Sequence, residues 1–92
     1  MKKHIFKLHD RLDYVGIGER VLDKLLGDCV RITDCYNIRR WGTSAGLGEL
    51  AIKGKLENTV LDKHPPITIR LEEIIHTIDV HDDVAKSFKN DE

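Results

Sequence analysis

The chemistry of this chain is concentrated in one stretch, Arg39-Arg40-Trp41 followed by Gly42-Thr43-Ser44-Ala45-Gly46-Leu47-Gly48. A guanidinium offers paired donors to a phosphate or carboxylate. An indole offers a plane on which a base can stack. Glycines let successive backbone N–H groups point into one concavity, and a helix start adds partial positive charge. The hydroxyls of Thr43 and Ser44 add two more donors. Arg39, Arg40, Trp41, Gly42, Thr43, Ser44, Gly46 and Gly48 therefore form a candidate anion-binding set. Adjacent strand residues point to opposite faces, so the spacing puts Arg39 on one face with Trp41, and Arg40 on the other with Tyr36 and Ile38. The loop is not a Walker A sequence, because no Lys-Ser/Thr follows Gly48, and its glycine spacing is not that of a dinucleotide fingerprint. The competing reading is structural: a strand-to-helix turn capped by Ser44 or Thr43, beside a core Trp41 and two solvated arginines.

Little else in the chain points to catalysis. The histidines, His4, His9, His64, His76 and His81, form no HxH or HExxH pattern, and no metal site is expected. His76 reads as a core histidine on the apolar face of a strand. His9-Asp10 and His81-Asp82-Asp83 suit turns and helix caps. Glu49 reads as a helix N-terminal charge that complements the dipole. No nucleophile and base stand at diagnostic spacing, so no catalytic residue and no cofactor are assigned. Cys29 and Cys35 fit neither a CxxC redox motif nor a zinc knuckle, and read as reduced thiols.

The elements that would position these residues follow from periodicity. Residues 4–8 suit a short strand or a helix start. From Asp13, Tyr14, Ile17, Val21 and Leu25 recur at helical steps, predicting an N-terminal helix with Asp13 as N-cap and Gly27 just past its end. Arg20 and Asp23 would pair on its wetter face. Segments 29–33 and 36–41 alternate and read as a hairpin joined at Asp34-Cys35. A short helix spans Leu47 to Ile52. A polar loop runs to about Lys63, with Thr59 to Leu61 extended inside it. Pro65-Pro66 keeps His64 and Pro65 extended. Residues 67–71 read as a strand. Residues 74–80 fit both periods, and their β-branched residues favour strand. Asp82 or Asp83 could cap a short helix carrying Val84 and Phe88, with Lys89 to Glu92 frayed.

The expected fold is therefore α+β: a small antiparallel sheet with an N-terminal helix and a short helix after the glycine loop. The 92 residues make one domain, 1–92, with a core over about 12–80 and a polar tail or short helix over 81–92. A chain this short buries only about 60–65% of its unfolded surface, which favours oligomerisation, most simply a two-fold dimer. The net charge of -1 argues against a basic nucleic-acid glove and against an acidic mimic. No apolar run approaches the ~20 residues of a membrane span, and the charged start does not suit a signal peptide. A cytoplasmic protein is expected.

Arg39-Arg-Trp-Gly-Thr-Ser-Ala-Gly-Leu-Gly-Glu-Leu-Ala51, with Val30-x-Ile32-x-Asp34, Thr59-x-Leu-Asp62 and the closing strands, resembles small uncharacterised proteins of bacteriophages and prophages. The likeness covers roughly Gly27 to Val80. It implies a viral accessory protein that counteracts a host defence from the host cytoplasm. Two binding roles follow: sequestering a phosphate-bearing, nucleotide-like ligand, or binding a host defence protein directly through Trp41 and an arginine. A nucleotide-acting enzyme and a nucleic-acid binder are weaker readings.

Overall fold

In a computed structural model of the protein, residues 2–9 and 12–89 are described. They form a six-stranded antiparallel sheet with few helices. The strands are β1 (His4–Leu8), β2 (Asp13–Asp23), β3 (Gly27–Arg40), β4 (Val60–His64), β5 (Ile67–Arg70) and β6 (Ile74–Asp79). One helix, α1 (Leu47–Lys53), follows the glycine loop, and 3-10 turns span Leu71–Glu73 and Asp82–Ser87. The sheet order is β4-β3-β2-β1-β6, with β5 also paired to β3.

The expected N-terminal helix is strand β2. Its first residues are buried one after another, Asp13, Tyr14, Val15 and Gly16, because both faces of the sheet are covered there. That erases the period-2 alternation, and the surviving apolar spacing mimics a helix. Arg20 accordingly pairs with Asp28 across the hairpin, at 3.9 Å, and not with Asp23. Segments 29–33 and 36–41 do not form a hairpin either. They are halves of one strand, β3, which is interrupted where Asp34 takes a left-handed backbone (φ 48°). The register against β2 shifts there, so two residues of β3 oppose Gly16 in a β-bulge. One half of β3 then pairs with β5 and the other with β4.

Only the 3-10 turn Leu71–Glu73 separates β5 from β6, yet these strands lie on opposite sides of the sheet order. The sheet must therefore roll so that its margins approach. Gly16 lies on the crowded inside of the bend: a Cβ there would stand 2.6 Å from Ile32 Cγ2 and 2.7 Å from the Thr33 carbonyl.

Two apolar clusters result. Phe6, Leu8, Tyr14, Ile32, Cys35 and Ile69 fill one face. On the other, Ile5, Val15, Tyr36, Ile38 and Leu61 pack under Leu47, Leu50 and Ala51 of α1 and under Val80 and Phe88. The core thus reaches past the expected 12–80 limits, to β1 and to Phe88. Fully burying a side chain the size of Phe88 is worth about 1.5–3 kcal/mol. The short helix after the loop and the final strand lie where periodicity puts them. The C-terminal helical segment is a 3-10 turn with His81, not Asp82 or Asp83, at its N-cap. Of the residues expected to fray, Asn90 to Glu92 lie outside the described residues, as does Asp10. Among the described residues, no helix is long and apolar enough to cross a membrane.

Candidate functional site

Two regions present the most unusual side-chain chemistry. The first is the corner where β3 ends. The pairing of β3 with β4 shifts by one between Ile38 and Arg40, a second bulge. Adjacent side chains at a bulge lose strict alternation. Arg39 and Arg40 consequently border the same shallow pocket of about 220 Å³ with Val60. Arg39 is held by Asp62, whose carboxylate accepts from Nε at 3.0 Å and Nη2 at 3.2 Å. Trp41 turns to the opposite face, where its Nε1 donates to Asp13 Oδ2 at 2.9 Å. The expected shared face of Arg39 and Trp41 is therefore replaced by a shared face of the two arginines.

Asp13 is a buried carboxylate. Its Oδ1 lies 3.2 Å from Lys7 Nζ but receives no well-directed hydrogen bond. Lys7 Nζ is also 5.8 Å from the Trp41 ring centroid. The indole is thus pinned by a buried acid and a partly buried cation. The Trp41 backbone carbonyl is pinned too, accepting from Thr59 Oγ1 at 2.7 Å. Gly42 turns the chain with φ 71°, its Cα so close to the Asn58–Thr59 backbone that a Cβ would stand 2.3 Å away. Only glycine combines that φ with that approach.

The loop after Gly42 does gather donors around an anion, and the anion is the chain's own. Ser44 N and Ala45 N donate to Glu49 Oε2 at 3.1 and 2.8 Å, and Ser44 Oγ lies 3.4 Å from the same oxygen. Lys53 Nζ meets Glu49 Oε1 at 3.1 Å. The Ala45 N–H, then Lys53, hold the Glu49 carboxyl below its ordinary range. Thr43 Oγ1 donates to the Gly46 carbonyl at 2.8 Å. Neither hydroxyl caps α1: Gly46 is its N-cap, and no side chain bonds there. A Cβ on Gly46 would touch the Trp41 ring edge at 3.8 Å, whereas Gly48 faces open space.

The second region is the far end of the β2–β3 hairpin, which alternation did not identify. β2 and β3 stay paired out to Asp23 and Gly27, well past the reach of β1, which pairs only Asp13 to Gly16. They end in a hairpin arm: β5 flanks β3 as far as Cys29, and among the described residues the last pairs, Leu22 with Asp28 and Asp23 with Gly27, have no third strand. Its turn is fixed by Asp23 Oδ1, which accepts from Leu25 N at 2.8 Å and Leu26 N at 2.9 Å. Those N–H groups, Leu26 first, keep the Asp23 carboxyl below its usual range. On this turn Leu22 is 80% and Leu25 94% exposed, with Leu26 and Leu71 partly exposed nearby. Leu26 and Leu71 share a pocket with Asp28, Arg70 and Glu72. The signal is present in the sequence, three leucines around a polar turn, but the helical reading places Leu25 in an apolar stripe with Leu22 and Leu26 beside it.

His76, expected in the core, is exposed on β6. Cys29 and Cys35 are free and buried. Burial pushes the Cys35 thiol up to about 11 and raises that of Cys29. Among the described residues, no three His, Cys, Asp or Glu side chains converge as a metal site would require. No protein-family model, curated protein or solved structure matches the chain.

Proposed function

We propose that this is a small non-enzymatic binding protein that docks on another protein through the tip of the β2–β3 arm. The observation that carries the reading is the pair of leucines, Leu22 and Leu25, standing almost wholly in solvent on a turn locked by Asp23. An ordered tip loses little conformational freedom on docking, so more of its apolar burial becomes affinity. Each leucine fully buried in a complex is worth about 1.5–3 kcal/mol. The fitting partner surface is an apolar groove with a charged rim, facing Arg20, Asp28, Arg70 and Glu72. The phage-type resemblance makes a host defence protein the partner and inhibition the role. The test compares proteins retained from bacterial lysate by the parent and by Leu22→Asp/Leu25→Asp. A partner held by the parent and lost by the variant, with circular dichroism unchanged, supports the reading. Equal retention by both would sink it.

Sequestration of a phosphate-bearing ligand is the second reading, favoured by Arg40. Arg40 is exposed, has no ion-pair partner among the described residues, and shares its pocket with Arg39. The glycine loop adds little to such a site while Glu49 holds its donors. Calorimetric titration with nucleotides tests it: heat from the parent that Arg40→Ala abolishes would favour this reading over the arm.

A further inference from the structure

We propose that two copies of this chain join through the outer edge of β6, their strands pairing antiparallel so that two sheets become one. The inference stands apart from the leucine-tipped arm and uses a different part of the molecule.

A sheet edge exposes a row of unpaired N–H and C=O groups, and proteins that stay monomeric guard such rows with lysine, proline or short strands. The two margins of this sheet differ in that respect. Along β3, the margin strands are β4, which carries Lys63 and runs into Pro65-Pro66, and β5, of only four residues. That margin is guarded. The other margin is β6, six residues from Ile74 to Asp79. Among the described residues it pairs with β1 alone. It contains no proline and no lysine. Among the described residues, the chain that follows β6 does not come back over this edge. His81 N donates to the Ala51 carbonyl of α1, and Lys55 N donates to Ser87 Oγ, so the last turn packs beside the helix.

The chemistry of β6 suits a second copy of itself. Ile74 to Ile78 carries no carboxylate, lysine or arginine, so two such strands approach without like-charge repulsion. The one acid of the strand, Asp79, is engaged by His4 Nε2 at 3.1 Å and lies 3.8 Å from Lys2 Nζ. Ile75, half exposed on this strand, gains cover from a neighbouring strand. Pairing through β6 closes as a two-fold dimer and uses up that edge in both copies, while the other open stretch, β2 beyond Gly16, carries the charges of Glu19, Arg20 and Asp23.

The test is sedimentation velocity on the full chain over a range of concentrations, for the parent, Ile75→Lys/Thr77→Lys and Leu22→Asp/Leu25→Asp. Both residues changed on β6 are exposed, so folding should survive, and circular dichroism checks that. The expected result is a dimer for the parent and for the leucine variant, with self-association of the lysine variant weakened at least about tenfold. A monomeric parent overturns the proposal. So does a dimer indifferent to the two lysines, or one lost only in the leucine variant, which would move the contact to the arm. Should the lysine variant misfold, hydrogen exchange on the parent decides: protection within Ile74–Asp79 must rise with protein concentration, and flat protection overturns the proposal.

Discussion

The Trp41 corner and the β2–β3 arm are opposites in how they use their polar and apolar groups. At the corner nearly every donor is met from within: Trp41 Nε1 by Asp13, the loop N–H groups by Glu49, and Thr43 by the Gly46 carbonyl. At the arm Asp23 meets the N–H groups of the turn, while the leucines have nothing to cover them. Residue types that suggest ligand chemistry have here a folding role, and the plain aliphatic residues are the ones left facing outward. A rich inventory of functional groups is therefore weaker evidence for a binding site than an unsatisfied one.

Substitutions can break that contrast, and the largest effect should come from the corner. Gly42→Ala forces a Cβ into the Asn58–Thr59 backbone at positive φ and should cost at least about 3 kcal/mol, a large share of the stability of a small domain. A thermal melt near that of the parent would mean the corner is not rigid. Asp13→Ala removes the acceptor shared by Trp41 and Lys7. Breaking a buried pair costs about 3–5 kcal/mol, and the 24% exposure of the Lys7 side chain lowers the expectation to about 2. Tryptophan fluorescence should shift to the red as the indole loses its anchor, and an unshifted spectrum would contradict the anchoring. Glu49→Gln should have a smaller, pH-dependent effect. The folded-state value of Glu49 lies below its unfolded value, so its stabilisation is complete above the ordinary carboxylate range. It is lost as pH falls through the folded value. Melts of the parent should therefore drop on acidification more than those of the variant. Asp23 has the same sign of shift and is untouched by the change, so part of the acid sensitivity should remain. The smallest effect on stability belongs to Leu22→Asp/Leu25→Asp, within about 0.5 kcal/mol of the parent. A large fall in melting temperature there would show that the arm supports the fold, and the contrast would be wrong.

The same contrast explains what was legible in the residues. β6 and α1 are legible because one has β-branched residues at strand spacing and the other lies between Gly42 and Gly54. β2 is not. Its base is buried on both faces and its tip on neither, so no single periodicity describes it. β3 was divided in two because Asp34-Cys35 looks like a turn, and a left-handed Asp34 inside a strand produces a bulge with the same composition. The spacing puts Arg39 and Trp41 on one face beside the glycine loop, and Arg40 on the other. The bulge before Arg40 separates Trp41 from the arginines, and Glu49, assigned only a dipole role, holds the loop. Neither a bulge nor a folded-back carboxylate leaves a periodic trace.

The pairing of β1 with β6 has a consequence for the order of assembly. His4 lies opposite Asp79, so the first strand of the sheet finds one of its two neighbours only near the other end of the chain. During synthesis β1 and β2 can meet early, but that pair has an open flank until β6 leaves the ribosome. Closing so long a loop is an entropic barrier that local contacts cannot lower. The domain should therefore fold slowly for its size and in a single late step. A nascent chain truncated before β6 should remain open to proteases however long it is given.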